Sequence, residues 1–413
     1  MIEGQNKLVG EIDVYGAKNA ALKMIAASIV INAKVILHNI PDIIDIKNLC
    51  TIIEKMGASI SRQGHDLAID TTNLTYRDPD PKLVKQMRTS IVLIGPMLAR
   101  FGKIELPHPG GDKIGKRPID LHIKAFKALG VTLDQNENYA FEITMTPKDS
   151  MIHFDKITVT GTENVILFAV LHPHQTTIEN AAIEPEIIDL IDFLKKAGAD
   201  IKIYDRTIII QGKESLHDVE YTCLPDRLEA ATFAVLAATT NSELTINNIR
   251  IDHLKSFLVK LKEIGVKYNS SADSLNILPS NKLQSVNLET AEYPGLSTDW
   301  QPPLGLLLTQ ADGKSRITEN IWENRLGYLK ELQQMGAKIS ILDSHTAEIT
   351  GPSELHGSHL DSMDIRAGAT MIIAGLIAQG QTVINNAENI DRGYEKIEER
   401  LNKIGAMIKR SDL

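Results

Sequence analysis

Six times along this chain an apolar residue is followed by glycine, then by alanine or valine, then by an alternating apolar tail. The copies are Met56-Gly57-Ala58, Leu129-Gly130-Val131, Ala197-Gly198-Ala199, Ile264-Gly265-Val266, Met335-Gly336-Ala337 and Ile404-Gly405-Ala406. Their glycines stand 67 to 73 residues apart, so the chain is six versions of one unit of about 70 residues. Before each glycine, apolar residues recur at helical spacing, as in Ile46, Leu49, Ile53, Met56 or Leu254, Leu258, Leu261, Ile264 or Tyr394, Ile397, Leu401, Ile404. Each set is the apolar stripe of an amphipathic helix, and glycine stops it because only glycine takes the left-handed cap without strain. Strands such as Ala58-Ser59-Ile60 and Lys338 to Ile341 are expected next.

Most units also hold a second, almost uniformly apolar helix: Asn19 to Val30, Asn164 to Leu171, Leu228 to Ala238 and Ala367 to Ala378. Such helices are buried on most sides. Short β-branched strands follow and end near asparagine: Val35 to Asn39, Thr176 to Asn180, Leu244 to Asn247, Arg316 to Asn320 and Thr382 to Asn386. Solenoid repeats are usually shorter, about 20 to 45 residues. Six units of this size close more plausibly into two globular domains of three, each of about 200 residues. The expected class is α/β, with a ligand site in the gap between two domains.

Composition narrows the partners. A net charge of -9 on 413 residues is the wrong sign for holding nucleic acid through bulk electrostatics. Cys50 and Cys223 form no CxxC and join no His/Cys cluster at zinc spacing, which argues for a reducing compartment and against a structural metal. Met1-Ile2-Glu3-Gly4 does not open a leader, and no stretch reaches about 18 uninterrupted apolar residues. A cytoplasmic protein with no membrane partner is expected.

Departures from the repeat are where chemistry is sought. His108-Pro109-Gly110-Gly111-Asp112-Lys113-Ile114-Gly115-Lys116-Arg117-Pro118 packs three glycines, two prolines and three Lys or Arg cations into eleven residues. It is either a mobile basic loop over an anion or a solvated hairpin tip. Gly110 to Lys116 mimics a Walker A start, but Arg117 stands where Ser or Thr is needed and Pro118 where a helix would continue, so that match is rejected. Only 14 of the 44 Lys and Arg residues are arginine. Arg88, Arg325, Arg366 and Arg392 stand beside small or acidic residues, where a guanidinium fork serves either a ligand carboxylate or phosphate or a structural aspartate.

Weaker signals are assigned to structure. His172-Pro173-His174 reads as a loop joining helix to strand, Asp226-Arg227 as a helix start and Glu184-Pro185-Glu186 as a loop. Asp299, in Ser297-Thr298-Asp299-Trp300, stands where a buried helix begins and has the chemistry of an N-cap.

Taken in order along the chain, Gly16-Ala17-Lys18-Asn19-Ala20-Ala21-Leu22, Met87-Arg88, Gly110 to His122, Glu184-Pro185-Glu186, Leu224-Pro225-Asp226-Arg227, Thr298-Asp299, Glu323-Asn324-Arg325 and Asp391-Arg392-Gly393-Tyr394-Glu395 resemble the enolpyruvyl transferases from end to end. Within them the resemblance is to the branch that uses a nucleotide sugar. It implies a two-domain inverted α/β barrel of six units, three per domain, with the active site in the interdomain cleft. It also implies residues 1-17 with 227-413 as one domain, and 18-226 as the other, carrying a lid loop at 108-118.

The implied substrates are phosphoenolpyruvate and UDP-N-acetylglucosamine, joined by addition and elimination with release of phosphate, as the first committed step of peptidoglycan synthesis. No cofactor and no metal are implied, and a monomer is expected. Lys18, Arg117 and Arg392 would hold the phosphoenolpyruvate, with Arg88 and Arg366 completing a cationic cluster. Asn19 and Asp299 would bind the sugar, Asp299 accepting its hydroxyl proton. Arg117, Pro118, Ile119, Asp120 and Leu121, with Lys156, Thr158, Val159 and Thr160, would hold uridine and diphosphate, and Ile321 would line the nucleotide site.

Two departures stand out. Most members of the family carry cysteine directly after the lid's Gly-Gly, where this chain has Asp112, and Thr158-Val159-Thr160-Gly161-Thr162 replaces a common Ser-Val-Gly-Ala-Thr. Aspartate and cysteine titrate in solution near about 3.9 and 8.5, so an acid at position 112 implies an activity profile displaced to lower pH. The epoxide fosfomycin alkylates the family's cysteine, and a carboxylate is a far poorer nucleophile, which implies insensitivity. The sister enzymes acting on shikimate 3-phosphate carry a Gly-Asn-Ala-Gly-Thr run that is absent here. A catalytically silent copy of the fold is the other alternative, against which the presence of Lys18, Arg88, Arg117, Asp299, Arg366 and Arg392 argues, and RNA-end-processing proteins on related units would need a basic stripe with interleaved aromatics.

Overall fold

The computed structural model describes all residues except Lys113, Asn136, Glu137, Thr146, Pro147, Asp412 and Leu413, and all of Gln135 but its side chain. Lys113 of the basic loop therefore lies outside the described residues. The chain divides into two compact units, one of Met1–Tyr15, Asp112–Lys116 and Pro225–Leu413, the other of Gly16–Gly111 and Arg117–Leu224. Each holds one continuous apolar core. The middle of the expected lid, Asp112–Lys116, thus groups with the first unit and not with the second, which was expected to carry all of it.

All six repeat glycines have positive φ: Gly57 at 110°, Gly130 at 84°, Gly198 at 102°, Gly265 at 91°, Gly336 at 105° and Gly405 at 107°. They end or closely follow the outer helices Ile44–Lys55, Asp120–Ala128, Pro185–Lys196, Lys255–Ile264, Leu329–Gln334 and Ile397–Lys403. At Gly405 a Cβ would also lie 2.8 Å from the Lys7 carbonyl oxygen. Gly405→Ala is expected to cost about 1–2 kcal/mol, seen as a lower denaturant midpoint at unchanged slope. An unchanged midpoint would mean that the backbone there relaxes at no cost.

Each unit packs three apolar inner helices against one another. They are Lys18–Ile31, Ile94–Phe101 and Val159–Ala169 in one, and Arg227–Thr239, Gln301–Leu308 and Ile365–Ile377 in the other. Around them, among the described residues, lie six sheets, five of four strands and one of three. Sheets this narrow stay open, and among the described residues none closes on itself as the word barrel would require.

In the four-stranded sheets an edge strand runs parallel to its neighbour while the remaining pairs are antiparallel, as Val219–Thr222 does beside Lys34–His38. The strand-ending asparagines join such pairs. Asn39 donates to Cys223 O, Asn180 to Phe154 O, Asn248 to Val14 O and Asn320 to Thr290 O, each at the end of the parallel neighbour. Asn39, Asn180, Asn248 and Asn386 hold positive φ, which asparagine tolerates better than most residues.

His172-Pro173-His174 does lie in the loop between a helix and the strand Gln175–Glu179. Glu184-Pro185-Glu186 instead opens the helix Pro185–Lys196: proline at the first helical position and an acid in the first turn are start signals that outweigh the loop reading. No helix among the described residues is long and apolar enough to cross a membrane.

Candidate active site

The unit built from residues 16–111 and 117–224 gathers cations at the starts of its inner helices. Lys18 opens the first of them, and its buried ammonium lies 2.6 Å from Asp45 Oδ2 in the first turn of Ile44–Lys55. A lysine out of water needs such a partner. Half-buried Asn19 comes next. Arg88 begins the 3-10 turn Arg88–Leu93 that leads into the second inner helix, and its Nη2 donates to the carbonyl oxygen of Arg117, a residue in the left-handed region at φ 48°.

Gly110 and Gly111 make this fit. A Cβ on Gly110 would stand 1.7 Å from Lys85 O, and one on Gly111 2.7 Å from Arg88 Cβ. The 108–119 segment links the strand Lys103–Pro107 to the helix Asp120–Ala128, so it is not a hairpin tip. Along it Pro118 is exposed and Ile119 buried; at the helix start Asp120 is exposed and Leu121 half-buried.

Thr158 caps the third inner helix by accepting from Gly161 N at 3.3 Å, with Val159 and Thr160 in the first turn and Lys156 exposed just before it. Asn164 ties this start to the second helix, accepting from Gly95 N at 2.8 Å and donating to Ile91 O and Thr160 O. Lys23 meets Glu163 at 3.4 Å, joining the first inner helix to the third at matching depth. Helix starts carrying Lys18 and Arg88 suit anions.

His122 is buried in the same unit, close to the Thr160 backbone but with no well-formed hydrogen bond at either ring nitrogen. Burial, and then the Arg88 charge, pull it down to about 4. An unfolded histidine takes up its proton near about 6.5, so His122 supports the fold fully above that pH and less as pH falls towards 4. Wild type is expected to lose about 2 kcal/mol between pH 7.5 and pH 5 that His122→Gln does not lose, read by chemical denaturation. Glu163, pushed up to about 7 by burial against the lowering effect of Lys23, contributes the opposite slope in both proteins and cancels in the difference. Equal losses in both would mean that His122 is protonated in place.

In the other unit an acid precedes each inner helix. Asp226 caps Arg227–Thr239 and Asp364 caps Ile365–Ile377, each accepting two backbone N–H groups. Asp299 does not cap: the residue before Gln301–Leu308 is Trp300, and the carboxylate turns elsewhere. Its Oδ1 takes Arg325 Nη2 at 2.6 Å and its Oδ2 faces Arg366 Nε at 3.8 Å. Arg325 also reaches Asp364 at 3.3 Å, and Arg366 reaches Asp226 at 3.8 Å while lying over the Tyr394 ring. The arginine side chains are 2 % and 6 % exposed and Asp299 is 28 % exposed, so Asp299 is where this network meets solvent. Arg325 and Arg366 therefore both serve aspartates, although Arg366 Nη1 is buried without a partner.

Asp112 Oδ1 meets Arg392 Nη1 at 2.5 Å, also in this unit. The same stretch is fastened further on, where Glu323 Oε1 accepts from Lys116 N at 3.0 Å and Ile114 O accepts from Asn324 N at 3.1 Å. Half-buried Ile321 lies just before that anchor. Sequence reasoning paired none of these groups and missed Asp45 altogether; its signal was a single acid inside the apolar run Ile43-Ile44-Asp45-Ile46.

Inner helices in threes, one unit with cations at the helix starts and the other with an arginine-held carboxylate, agree with a transferase of anionic groups. The chain belongs to the EPSP synthase (3-phosphoshikimate 1-carboxyvinyltransferase) family, whose model matches residues 2–401. It is 42% identical to the UDP-N-acetylglucosamine 1-carboxyvinyltransferase of Halothermothrix orenii over 99% of both chains. It is also 42% identical to UDP-N-acetylglucosamine 1-carboxyvinyltransferase 2 of Listeria monocytogenes, over 100% of this chain and 97% of the other. Among solved structures, the enolpyruvyl transferase NikO from Streptomyces tendae superposes with a TM-score of 0.90 at 26% identity, covering 99% of this chain and 97% of that one. An EPSP synthase from Acinetobacter baumannii shares the fold with a TM-score of 0.75 at 16% identity, over 98% and 97% of the two chains.

Proposed function

We propose that this enzyme moves the enolpyruvyl group of phosphoenolpyruvate onto the 3′-hydroxyl of UDP-N-acetylglucosamine, releasing phosphate, as the first committed step of peptidoglycan synthesis. The observation that carries the reading is identity of 42% over 99% of both chains with a protein named for that acceptor. The named residues extend it. Lys18, Arg88, Arg117 and Arg392 neutralise the phosphate and carboxylate of phosphoenolpyruvate, with Arg366 completing the cationic cluster. Arg117 to Leu121, Lys156 to Thr160 and Ile321 hold the nucleotide, and Asn19 the sugar.

Asp299 takes the proton from the 3′-hydroxyl as its oxygen bonds to C2, and Asp112 gives a proton to C3. C3 then returns a proton to the Asp112 carboxylate, the bond from C2 to the phosphate oxygen breaks, and phosphate leaves. In the structure Arg392 occupies the Asp112 oxygen nearest to it. Phosphoenolpyruvate arriving at Arg392 competes for that guanidinium and frees the Asp112 carboxylate, which takes up a proton from water and then delivers it to C3. No cofactor takes part, the enzyme works as a cytoplasmic monomer, and aspartate in the place of cysteine leaves it insensitive to fosfomycin.

Phosphate release from purified protein and phosphoenolpyruvate tests the assignment, with UDP-N-acetylglucosamine and shikimate 3-phosphate as rival acceptors. Release with the nucleotide sugar alone is expected. Release with shikimate 3-phosphate, or with neither, overturns the reading.

A further inference from the structure

Glu319 directly follows the strand Gly313–Thr318 and is completely buried. Its carboxylate accepts four hydrogen bonds from three separate stretches of chain. Oε1 takes Thr290 Oγ1 at 3.0 Å, Ile321 N at 2.9 Å and Trp322 N at 3.2 Å, and Oε2 takes Thr298 Oγ1 at 3.0 Å. The buried Arg325 guanidinium supplies the compensating charge. Its backbone is held as well, its N–H donating to His345 O at 2.8 Å and its carbonyl oxygen lying 2.6 Å from His345 Nδ1.

Taking a carboxylate out of water is expensive unless its lone pairs are filled. Here two backbone N–H groups and two threonine hydroxyls all donate to the side chain, and a carboxylate accepts at both ends. What the arrangement achieves is geometric. Thr298 immediately precedes Asp299, and Ile321 and Trp322 lead into Glu323 and Arg325, of which Arg325 grips Asp299 at 2.6 Å.

We propose that Glu319 is a positioning residue for the transfer: it locks the Thr298-Asp299 stretch to the Ile321-Trp322 stretch, so that the proton acceptor and the nucleotide-lining segment keep one fixed spacing. This rests on the function proposed above. Phosphoenolpyruvate, held chiefly by residues of the other unit, does not depend on the lock.

Two near-conservative variants separate reach from charge. Glu319→Asp keeps the charge but shortens the side chain by about 1.5 Å, so it cannot serve both sides. Glu319→Gln keeps the reach; its amide oxygen retains the Ile321 and Trp322 amides, and the Thr298 hydroxyl can turn to accept from its nitrogen. Glu319→Asp is expected to lower kcat about tenfold to a hundredfold and raise KM for UDP-N-acetylglucosamine about fivefold, with KM for phosphoenolpyruvate within about twofold of wild type. Glu319→Gln should fall between that variant and wild type on both readouts.

The reverse order, aspartate near wild type and glutamine impaired, would assign Glu319 a purely electrostatic role and overturn the proposal. Losses that follow the folded fraction with both KM values unchanged would assign it to stability alone and also overturn it. A wild type inactive with UDP-N-acetylglucosamine removes the functional reading first, whereas an active wild type with unaffected variants removes only the role of Glu319.

Discussion

Replacing Asp299 by asparagine is expected to lower kcat about 1000-fold while KM for phosphoenolpyruvate stays within about twofold and the protein stays folded. The carboxylate is the solvent-reaching end of a buried chain of aspartates and arginines, with a guanidinium on each oxygen. Asparagine keeps an oxygen for Arg325 but turns an NH2 group towards Arg366, and it has no basic site for the hydroxyl proton. Arg325 keeps Asp364 at 3.3 Å and the Thr298 carbonyl, so it is not stranded in the core. Steady-state kinetics with both substrates varied, beside a thermal melt, decide the matter. A kcat within about tenfold of wild type would show that another group accepts the proton.

The second large effect is a gain. Wild type should turn over undisturbed in fosfomycin, whereas Asp112→Cys should lose activity progressively and gain the mass of one inhibitor molecule, with inactivation at least about 1000-fold faster. Epoxide opening needs a strong nucleophile, and the Asp112 carboxylate is a weak one that is also engaged by Arg392 at 2.5 Å. The native cysteines offer no substitute. Both are buried, and burial pushes the Cys50 thiol up to about 12, leaving almost no thiolate near neutral pH. Intact-mass spectrometry after incubation reads both proteins, and an adduct on wild type mapping to Asp112 would refute the argument.

The scaffold was legible because its determinants are local and repeated. Each of six glycines marks a left-handed turn that an L side chain resists, and each follows a stripe at helical spacing, so one pattern is tested six times in one chain. Two inner helices escaped exact placement for local reasons: Ile94–Phe101 is short and carries Pro96, and Gln301–Leu308 opens on two prolines. Site residues were visible as oddities, an arginine beside an acid or a glycine cluster, but their partners were not. Asp45 under Lys18, Asp364 beside Arg325 and Arg392 against Asp112 are meetings across 27, 39 and 280 residues, arranged by packing and carrying no periodic signal. The allegiance of Asp112–Lys116 to the unit of Glu323 and Asn324 is hidden for the same reason.

The strand Ile2–Glu3 pairs with Gln381–Asn385 on one side and Met407–Ile408 on the other, and Val9–Asp13 pairs with Glu243–Asn247. On the ribosome these early strands emerge with nothing to join. The unit containing residues 16–111 and 117–224 has its full complement once residue 224 has left the exit tunnel, while the first strand gains one neighbour only when residue 382 appears and the other only with residue 408. The growing chain therefore carries an unpaired strand until residue 382 appears, and that strand is kept to two residues, one of them charged, too short to template a neighbouring chain.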